Sequence, residues 1–410
     1  MPPTRARVNP GRLGAARALL AVDEGTHAED ALARFAPNDG GDRALAWHLV
    51  LGVLRHRNEL DFVIAAATRR PIRALDAPVR TVLRLGVFEL RHSRTPPHAA
   101  VDQAVECVRA VNAGYASGLV NAALRHQSEH TPPDDALLNH PDWLMKRWRA
   151  RYGGSADVWM RANNEPAVTT IVAKEDAAGL ARALQHAGKV ALPVAEDVFQ
   201  VEGVVDALPG YAEGRFWVMD AAALAVADLV PAGGTVLDTC AAPGGKSFRL
   251  ATRGAQVTAT DADESRMVRV REGAARLGLT LATAVHDWTT GPLLDGTGVP
   301  ARFDAVLLDA PCTALGLLRR HPDIRWTRRE SDPASLGKKQ AVMLRNAAAC
   351  VRPGGALVYA VCTPEPEEGE AVVRTLDWPI EETFSNAPCV LGEDAFYACR
   401  MRRPPGEGAA

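Results

Sequence analysis

No run of about 18 apolar residues occurs in this 410-residue chain, so no membrane-spanning helix is expected. The amino end, MPPTRARVNPGRLG, carries arginines but no apolar segment ahead of a small-residue cleavage site. That argues against a secretory signal and for a cytoplasmic protein. None of the seven cysteines, Cys107, Cys240, Cys312, Cys350, Cys362, Cys389 and Cys399, belongs to a CxxC pair, and no His/Cys cluster has zinc-finger spacing. No metal site is therefore expected, and the cysteines read as reduced thiols, most of them buried. Two nucleotide signatures are also missing. There is no GxGxxG, and Gly244-Gly245-Lys246-Ser247 lacks the earlier glycine of a P-loop because Cys240 stands in its place. A nucleoside cofactor without a pyrophosphate fits better. A strong charge of either sign is absent as well: 47 Lys+Arg against 49 Asp+Glu give a net charge of −2, which argues against a protein that grips nucleic acid with its whole surface. The first 150 residues carry 20 basic against 16 acidic side chains and the remaining 260 carry 27 against 33, an asymmetry that an Arg-rich helical surface or an RNA-binding face explains equally well.

The composition is that of a globular protein, 47% hydrophobic and 23% charged, and the length allows two or three domains. From Ala15 to His130 the pattern is helical. In Ala77 to Leu90, the residues Val79, Val82, Leu83, Val87 and Leu90 share one face, with Arg80, Arg84 and Glu89 largely elsewhere. Ala99 to Ala110 and Ala116 to Arg125 repeat the pattern, so an all-α domain of about five to seven helices is predicted over 1–130. A linker at 131–139 follows, with Pro132 and Pro133. The stretch HPDWLMKRWRARYG, His140 to Gly153, interleaves Trp143 and Trp148 with Lys146, Arg147, Arg149 and Arg151. It reads as an RNA-contacting helix or, equally, as one whose tryptophans pack inward. Short β-like runs around the helix Ala177 to Ala187 give a small α+β subdomain over 140–214.

Strands and helices then alternate over 215–402, before a tail at 403–410 that is expected to be disordered. Strands are predicted at Val236–Asp238, Val257–Asp261, Thr283–Val285, Ala305–Asp309 and Ala356–Val361, with a helix at Leu336–Val351 ended by Pro353-Gly354-Gly355. Such alternation implies an α/β, Rossmann-like fold with a mostly parallel, doubly wound sheet, whose ligands bind beyond the carboxyl ends of the strands. The run TVLDTCAAPGGKS, Thr235 to Ser247, is a buried strand, a glycine turn and a helix start. It can seat an anionic part of a cofactor, although many α/β domains need such a turn for packing alone. Asp261 ends the second strand roughly 20 residues beyond that turn, where a carboxylate suits ribose hydroxyls. Asp287-Trp288 follows the third strand, placed for an adenine edge. The fourth strand runs into Asp309-Ala310-Pro311-Cys312 and the fifth into Cys362-Thr363-Pro364. If these strands are neighbours they lie about 4.8 Å apart, and both thiols reach one cleft. Singly each cysteine is more often a small buried residue. Together they suit a nucleophile and a partner that handles protons.

These residues carry a resemblance. DTCAAPGGKS, DAPCTALGLLRRHPDIRW (Asp309 to Trp326) and YAVCTPEPEE (Tyr359 to Glu368) resemble the motifs of the RNA cytosine-5 methyltransferases of the RsmB (Fmu), NOP2 and NSUN family. RRHPDIRW is especially similar to the branch acting on 16S ribosomal RNA, and LRLGVFELRH and SGLVNAALRH resemble the NusB-like helical domain of such enzymes.

The resemblance implies S-adenosyl-L-methionine as cofactor, held by Cys240, Ala241, Ala242, Pro243, Gly244, Gly245 and Lys246, with Asp261 on the ribose, Asp287 on the adenine side and Asp309 near the methionine part or the target base. It implies that Cys362 adds to cytosine C6 and that Cys312 assists removal of the C5 proton. The implied partner is RNA, most of all 16S rRNA, naked or in an assembling small subunit, with the protein a monomer. The alternatives are tRNA as substrate, or an RNA-binding scaffold whose catalytic half has lapsed. Met219 and Ala223 stand where relatives often have Gln and Ser, TTIVAKE replaces an Arg-Val-Asn strand, and Thr363-Pro364 replaces Ser and a non-proline.

Overall fold

A computed structural model describes residues 8–389 and 392–405, and the chain forms two compact units. One comprises the chain up to Pro166 together with Leu318–Arg328. The other comprises Ala167–Leu317 and the chain from Arg329 onward.

In the first unit seven α-helices lie between residues 10 and 126: Pro10–Asp23, Ala28–Phe35, Gly40–Arg55, Arg57–Thr68, Ala77–His92, Pro97–Ala110 and Ser117–His126. Asn9 starts the first of them as a cap, its Oδ1 accepting from the Arg12 amide at 3.1 Å. The helix Ala77–His92 differs from its predicted two-faced form. Val79, Val82, Leu83 and Val87 are buried, but so are Arg84 and Glu89. The helix sits among the others on all sides, and its charges are matched there: Arg84 grips Asp61 with bonds of 2.6 and 2.8 Å, and Arg12 reaches Glu89 at 2.6 Å. A second polar cluster joins neighbouring helices. Glu59 is buried, with one oxygen 3.1 Å from His56 Nδ1 and the other 3.0 Å from His92 Nε2, and the two imidazoles stack at 4.0 Å. Among the described residues these three also bring metal-ligand atoms within 4.8 Å of one another. Each imidazole uses its own carboxylate oxygen, so the trio is satisfied as it stands.

The helices Asp142–Tyr152 and Ser155–Ala162, placed from sequence in the α+β subdomain, belong to this helical unit. Their sequence leaves open whether tryptophans face RNA or pack inward; Trp148 is buried and stacks on Trp159 at 4.1 Å. Arg149 is paired with Asp157 and Asp135, both at 2.7 Å. The segment Leu318–Arg328, which contains all of RRHPDIRW, lies here too. Arg325 is fully buried and donates to the carbonyls of Asn139, Asn163 and Leu318 and to Asn164 Oδ1, at 2.7–3.1 Å. Trp326 Nε1 donates to Leu54 O at 2.7 Å.

The second unit holds two sheets. Strands β1 (Thr169–Ala173), β2 (Ala191–Ala195), β3 (Val198–Val201) and β4 (Phe216–Val218) form an antiparallel sheet in the order β2-β3-β1-β4. The larger sheet is built from β5 (Thr235–Asp238), β6 (Gln256–Asp261), β7 (Ala282–Val285), β8 (Phe303–Asp309), β9 (Val351–Val361), β10 (Ile380–Ser385) and β11 (Tyr397–Arg402). Its order is β10-β11-β9-β8-β5-β6-β7, with β9, β8, β5, β6 and β7 parallel and β11 and β10 antiparallel. The five predicted strands are all present; β10 and β11 have no counterpart in the sequence reading. Helices 10–126 and this mostly parallel sheet give the expected fold class. The order reverses between β5 and β8, which opens a cleft at their carboxyl ends.

Two boundaries need correction. The helix before β9 spans Asp332–Ala349 and ends before Pro353-Gly354-Gly355, which lies inside β9. Arg403, expected in the tail, exchanges backbone bonds with Gly354 and Gly355 at 3.1 and 2.9 Å, continuing the pairing of β9 and β11 beyond Ala356 and Arg402. The part of that tail at 406–410 lies outside the described residues. No described helix is long and apolar enough to cross a membrane.

Candidate active site

β5 delivers Asp238 to the cleft, and the chain then turns into the helix Gly245–Thr252. Backbone bonds from Ala241 N to Thr260 O and from Gly244 N to Ala241 O, 2.9 and 2.7 Å, close the turn. Gly244 has φ +114°, and a Cβ there would lie 2.3 Å from the Phe248 ring, so both backbone and packing demand glycine. Ser247 Oγ donates to Asp238 Oδ2 at 2.7 Å, while Oδ1 of that carboxylate is buried without a partner. Burial, opposed by the Ser247 bond, pushes the Asp238 carboxyl up to about 7. At the end of β6, Asp261 is 3% exposed; its Oδ1 accepts from the Asp263 amide at 3.2 Å and Oδ2 has no partner. Buried polar atoms rarely stay unpaired, and two orphaned carboxylate oxygens beside a glycine turn suit a ligand that donates hydroxyl and ammonium protons. The ribose and amino acid ends of S-adenosyl-L-methionine have those donors.

Two other sequence-predicted residues sit differently. The Cys240 thiol is pushed far up by burial and packs against the core between β8, β9 and the helix Asp332–Ala349, a place for a structural rather than a reactive sulfur. Asp287 is exposed, and its Oδ1 takes the Thr289 hydroxyl at 2.7 Å and the Thr289 amide at 2.8 Å. Those bonds hold its carboxyl below the usual range and fix the turn after β7. The neighbouring Trp288 is buried and bonded through Nε1 to Thr260 Oγ1 at 3.0 Å.

The other half of the cleft is built from β8 and β9, with Asp309 in register with Ala360. The strands bring Cys312 and Cys362, 50 positions apart, to an Sγ–Sγ distance of 3.2 Å. Both are free thiols. The hydrogen bond with Cys362, and then burial, push the Cys312 thiol well above its ordinary range. Asp309 Oδ2 pairs with Lys246 Nζ at 2.6 Å, which joins the two halves of the cleft. Burial works against the Lys246 cation, but the charges of Asp309 and of Cys362 hold it raised, and it lies 5.2 Å over the Phe396 ring. Gly316 lies where a Cβ would be 1.9 Å from Ala395 O, and its amide donates to Cys362 O at 3.0 Å. No side chain fits between those backbones.

Sequence reasoning missed several residues of this half. Thr313 and Thr363, next to the two cysteines, bond through their hydroxyls at 3.0 Å; Thr313 also bonds the buried Glu368, and Thr363 accepts from the Glu365 amide at 3.4 Å. Glu368 and Tyr359 stand inside the motif YAVCTPEPEE, but spacing alone assigns them no partner. Asp238 was read as a strand end, and nothing in its spacing signals its raised affinity for a proton.

Comparison with known proteins bears on the chemistry. A family model described as 16S rRNA methyltransferase RsmB/F matches residues 227–378, and a model of the NusB family matches residues 9–129. The chain is 36% identical to a ribosomal RNA small subunit methyltransferase B from Salmonella arizonae, over 88% of this chain and 90% of the relative. It is 36% identical to the protein of the same name from Vibrio cholerae, over 81% and 80%. The crystal structure of PH0851 shares the fold at a TM-score of 0.79 and 21% identity, covering 98% of this chain and 100% of that one.

Proposed function

We propose, from the premise that this chain belongs to the RsmB/F family of 16S rRNA methyltransferases, that it methylates C5 of a cytosine in small-subunit ribosomal RNA through a covalent bond from Cys362 to C6. The observation that carries this reading is the pair of thiols in contact at 3.2 Å, beside the Lys246–Asp309 ion pair and a turn suited to the cofactor.

The cofactor is S-adenosyl-L-methionine, which when bound supplies an electrophilic methyl group. The turn from Cys240 to Lys246 and Asp261 hold it, Asp261 through the buried Oδ2 that has no partner within the protein. Asp287 presents an exposed carboxylate at the adenine side.

Cytosine C5 is a poor nucleophile, and the protein's part is to make it a good one. The Cys362 thiolate forms an S–C6 bond, and the electrons of the C5=C6 double bond move toward C5, which becomes enamine-like. Asp309, anchored by Lys246, bonds the N3 or N4 edge of the base and stabilises the charge that builds there. As Cys362 adds, Cys312 gives its proton to the N3 side of the base; after C5 is methylated the Cys312 thiolate takes the C5 proton, the C5=C6 bond re-forms, Cys362 leaves as thiolate and the N3 proton passes to water. The target base must be unstacked to reach the cleft, which favours a loop or an opened site in the RNA. The helical unit, with its NusB family match, is proposed to bind that RNA, and one copy of the chain suffices for the reaction.

The test is incubation with labelled S-adenosyl-L-methionine and, separately, naked 16S rRNA, assembling small subunits and tRNA, followed by nucleoside mapping. Label in 5-methylcytosine of 16S rRNA is expected. Label in tRNA alone overturns the substrate, and label in no cytosine overturns the reaction and leaves an RNA-binding scaffold.

A further inference from the structure

Glu368 stands near the two cysteines with no exposed surface, and nothing in the reaction described above uses it. Three donors converge on its two oxygens. The Thr313 amide donates to Oε1 at 2.8 Å, Gln340 Nε2 to Oε1 at 3.0 Å and the Thr313 hydroxyl to Oε2 at 2.5 Å. Gln340 Nε2 also reaches Pro311 O at 2.9 Å, and the Tyr359 hydroxyl donates to the backbone carbonyl of Glu368. Burial raises the Glu368 carboxyl, and the bonds from Thr313 and Gln340 act in the other direction. Three donors facing two oxygens suit a carboxylate.

This arrangement bears directly on the two cysteines. Thr313 follows Cys312 and Thr363 follows Cys362, and their hydroxyls meet at 3.0 Å. Glu368, by gripping both the amide and the hydroxyl of Thr313, therefore fixes the loop of Cys312 and, through Thr363, the loop of Cys362. The charges around the thiols are also unlike. Glu368 is bonded to the amide next to Cys312 and acts on that thiol, whereas the Lys246 cation interacts with Cys362. Between two sulfurs in contact, a proton settles on the side facing the anion and leaves the side facing the cation as thiolate.

We infer that Glu368 is the positioning residue that sets the division of labour between the thiols. It holds the two cysteine loops in contact and directs their shared proton onto Cys312, so that Cys362 is the nucleophile. The inference rests on the proposed role of Cys362 in methylation, but its test needs no RNA. The full-length protein is treated with limiting iodoacetamide, and alkylation of Cys362 and Cys312 is quantified by peptide mass mapping. In the unaltered protein Cys362 is alkylated first. In Glu368→Gln, which keeps size and loses the charge, the ratio of Cys362 to Cys312 alkylation falls by roughly tenfold, the factor that one unit of relative acidity gives. An unchanged ratio in folded Glu368→Gln overturns the proposal.

If thermal melting shows that Glu368→Gln does not fold, the Thr363 pair decides. Thr363→Val cuts the bridge between the loops while leaving Glu368 and its three donors, and lowers the ratio; Thr363→Ser restores it. A serine variant no better than the valine variant overturns the proposal. An unaltered protein that alkylates selectively at Cys362 yet methylates no cytosine sinks the methylation reading and leaves this one standing.

Discussion

The two halves of the cleft are finished to different degrees. At the ends of β5 and β6 the polar groups are left open: Asp238 Oδ1 and Asp261 Oδ2 are buried and unpaired. At the ends of β8 and β9 they are closed: both oxygens of Glu368, both threonine hydroxyls and both thiols have partners within the protein. An open half costs stability until a ligand arrives and gains affinity when it does. A closed half is rigid before any substrate binds, which suits groups that must meet a reacting atom at fixed distance.

The strongest way to break this contrast is at the sulfurs. Cys362→Ala is expected to reduce methylation by at least about a thousandfold, as loss of a covalent nucleophile does, and to leave cofactor affinity unchanged by calorimetry. Cys312→Ala also stops turnover, but leaves a protein–RNA adduct that survives a denaturing gel, because addition proceeds and release does not. An adduct in the Cys362 variant instead would reverse the assigned roles.

Substitutions in the open half give the converse pattern. Gly244→Ala forces a side chain into a left-handed turn and against Phe248, costing about 1–3 kcal/mol in backbone strain before the clash. It lowers the melting temperature and weakens the cofactor, while the order in which Cys362 and Cys312 are alkylated stays the same. Asp261→Ala removes the orphaned acceptor and weakens cofactor binding by roughly 1–3 kcal/mol, read as a higher Kd with unchanged alkylation. Loss of alkylation order in either variant would show that the halves are not separable.

The effect on methylation is smallest in a test of pH. The folded-state carboxyl of Asp238 is raised to about 7 from its ordinary value of 3.8, so the native state holds its proton more tightly than the unfolded chain. The sign follows: its contribution is fully present below pH 3.8 and is lost as pH rises through about 7. Asp238→Asn should flatten the part of the stability curve between those values, by at most about 1.4 kcal/mol per pH unit, measured as melting temperature against pH. A curve of unchanged slope would place the titration elsewhere.

The open half is the more legible of the two in the sequence. A strand, two glycines, a lysine and a serine lie within thirteen residues, and local backbone rules are enough to shape them. Asp261 is legible because β6 follows the next helix at a regular interval. The closed half is less so. Cys312 and Cys362 stand out at strand ends, but Thr313, Gln340, Thr363 and Glu368 acquire their meaning through partners 28 to 55 positions away. The same limit hid the burial of Arg84 and Glu89, whose partners Asp61 and Arg12 lie 23 and 77 positions off. It also hid the place of Arg325, which the motif RRHPDIRW gives no partner and which is buried among carbonyls of the helical unit.

The sequence by itself determined the parallel alternation of strands and helices, the glycine turn and a cysteine just beyond each of two strand ends. These depend on periods of two and about 3.6 and on the φ freedom of glycine, which are local properties. Tertiary structure decided that the thiols touch, that Lys246 bridges to Asp309 and that Glu368 closes the site. Those outcomes depend on which strands become neighbours, and the order β9-β8-β5 across the sheet is fixed by long-range pairing that no short stretch of chain contains.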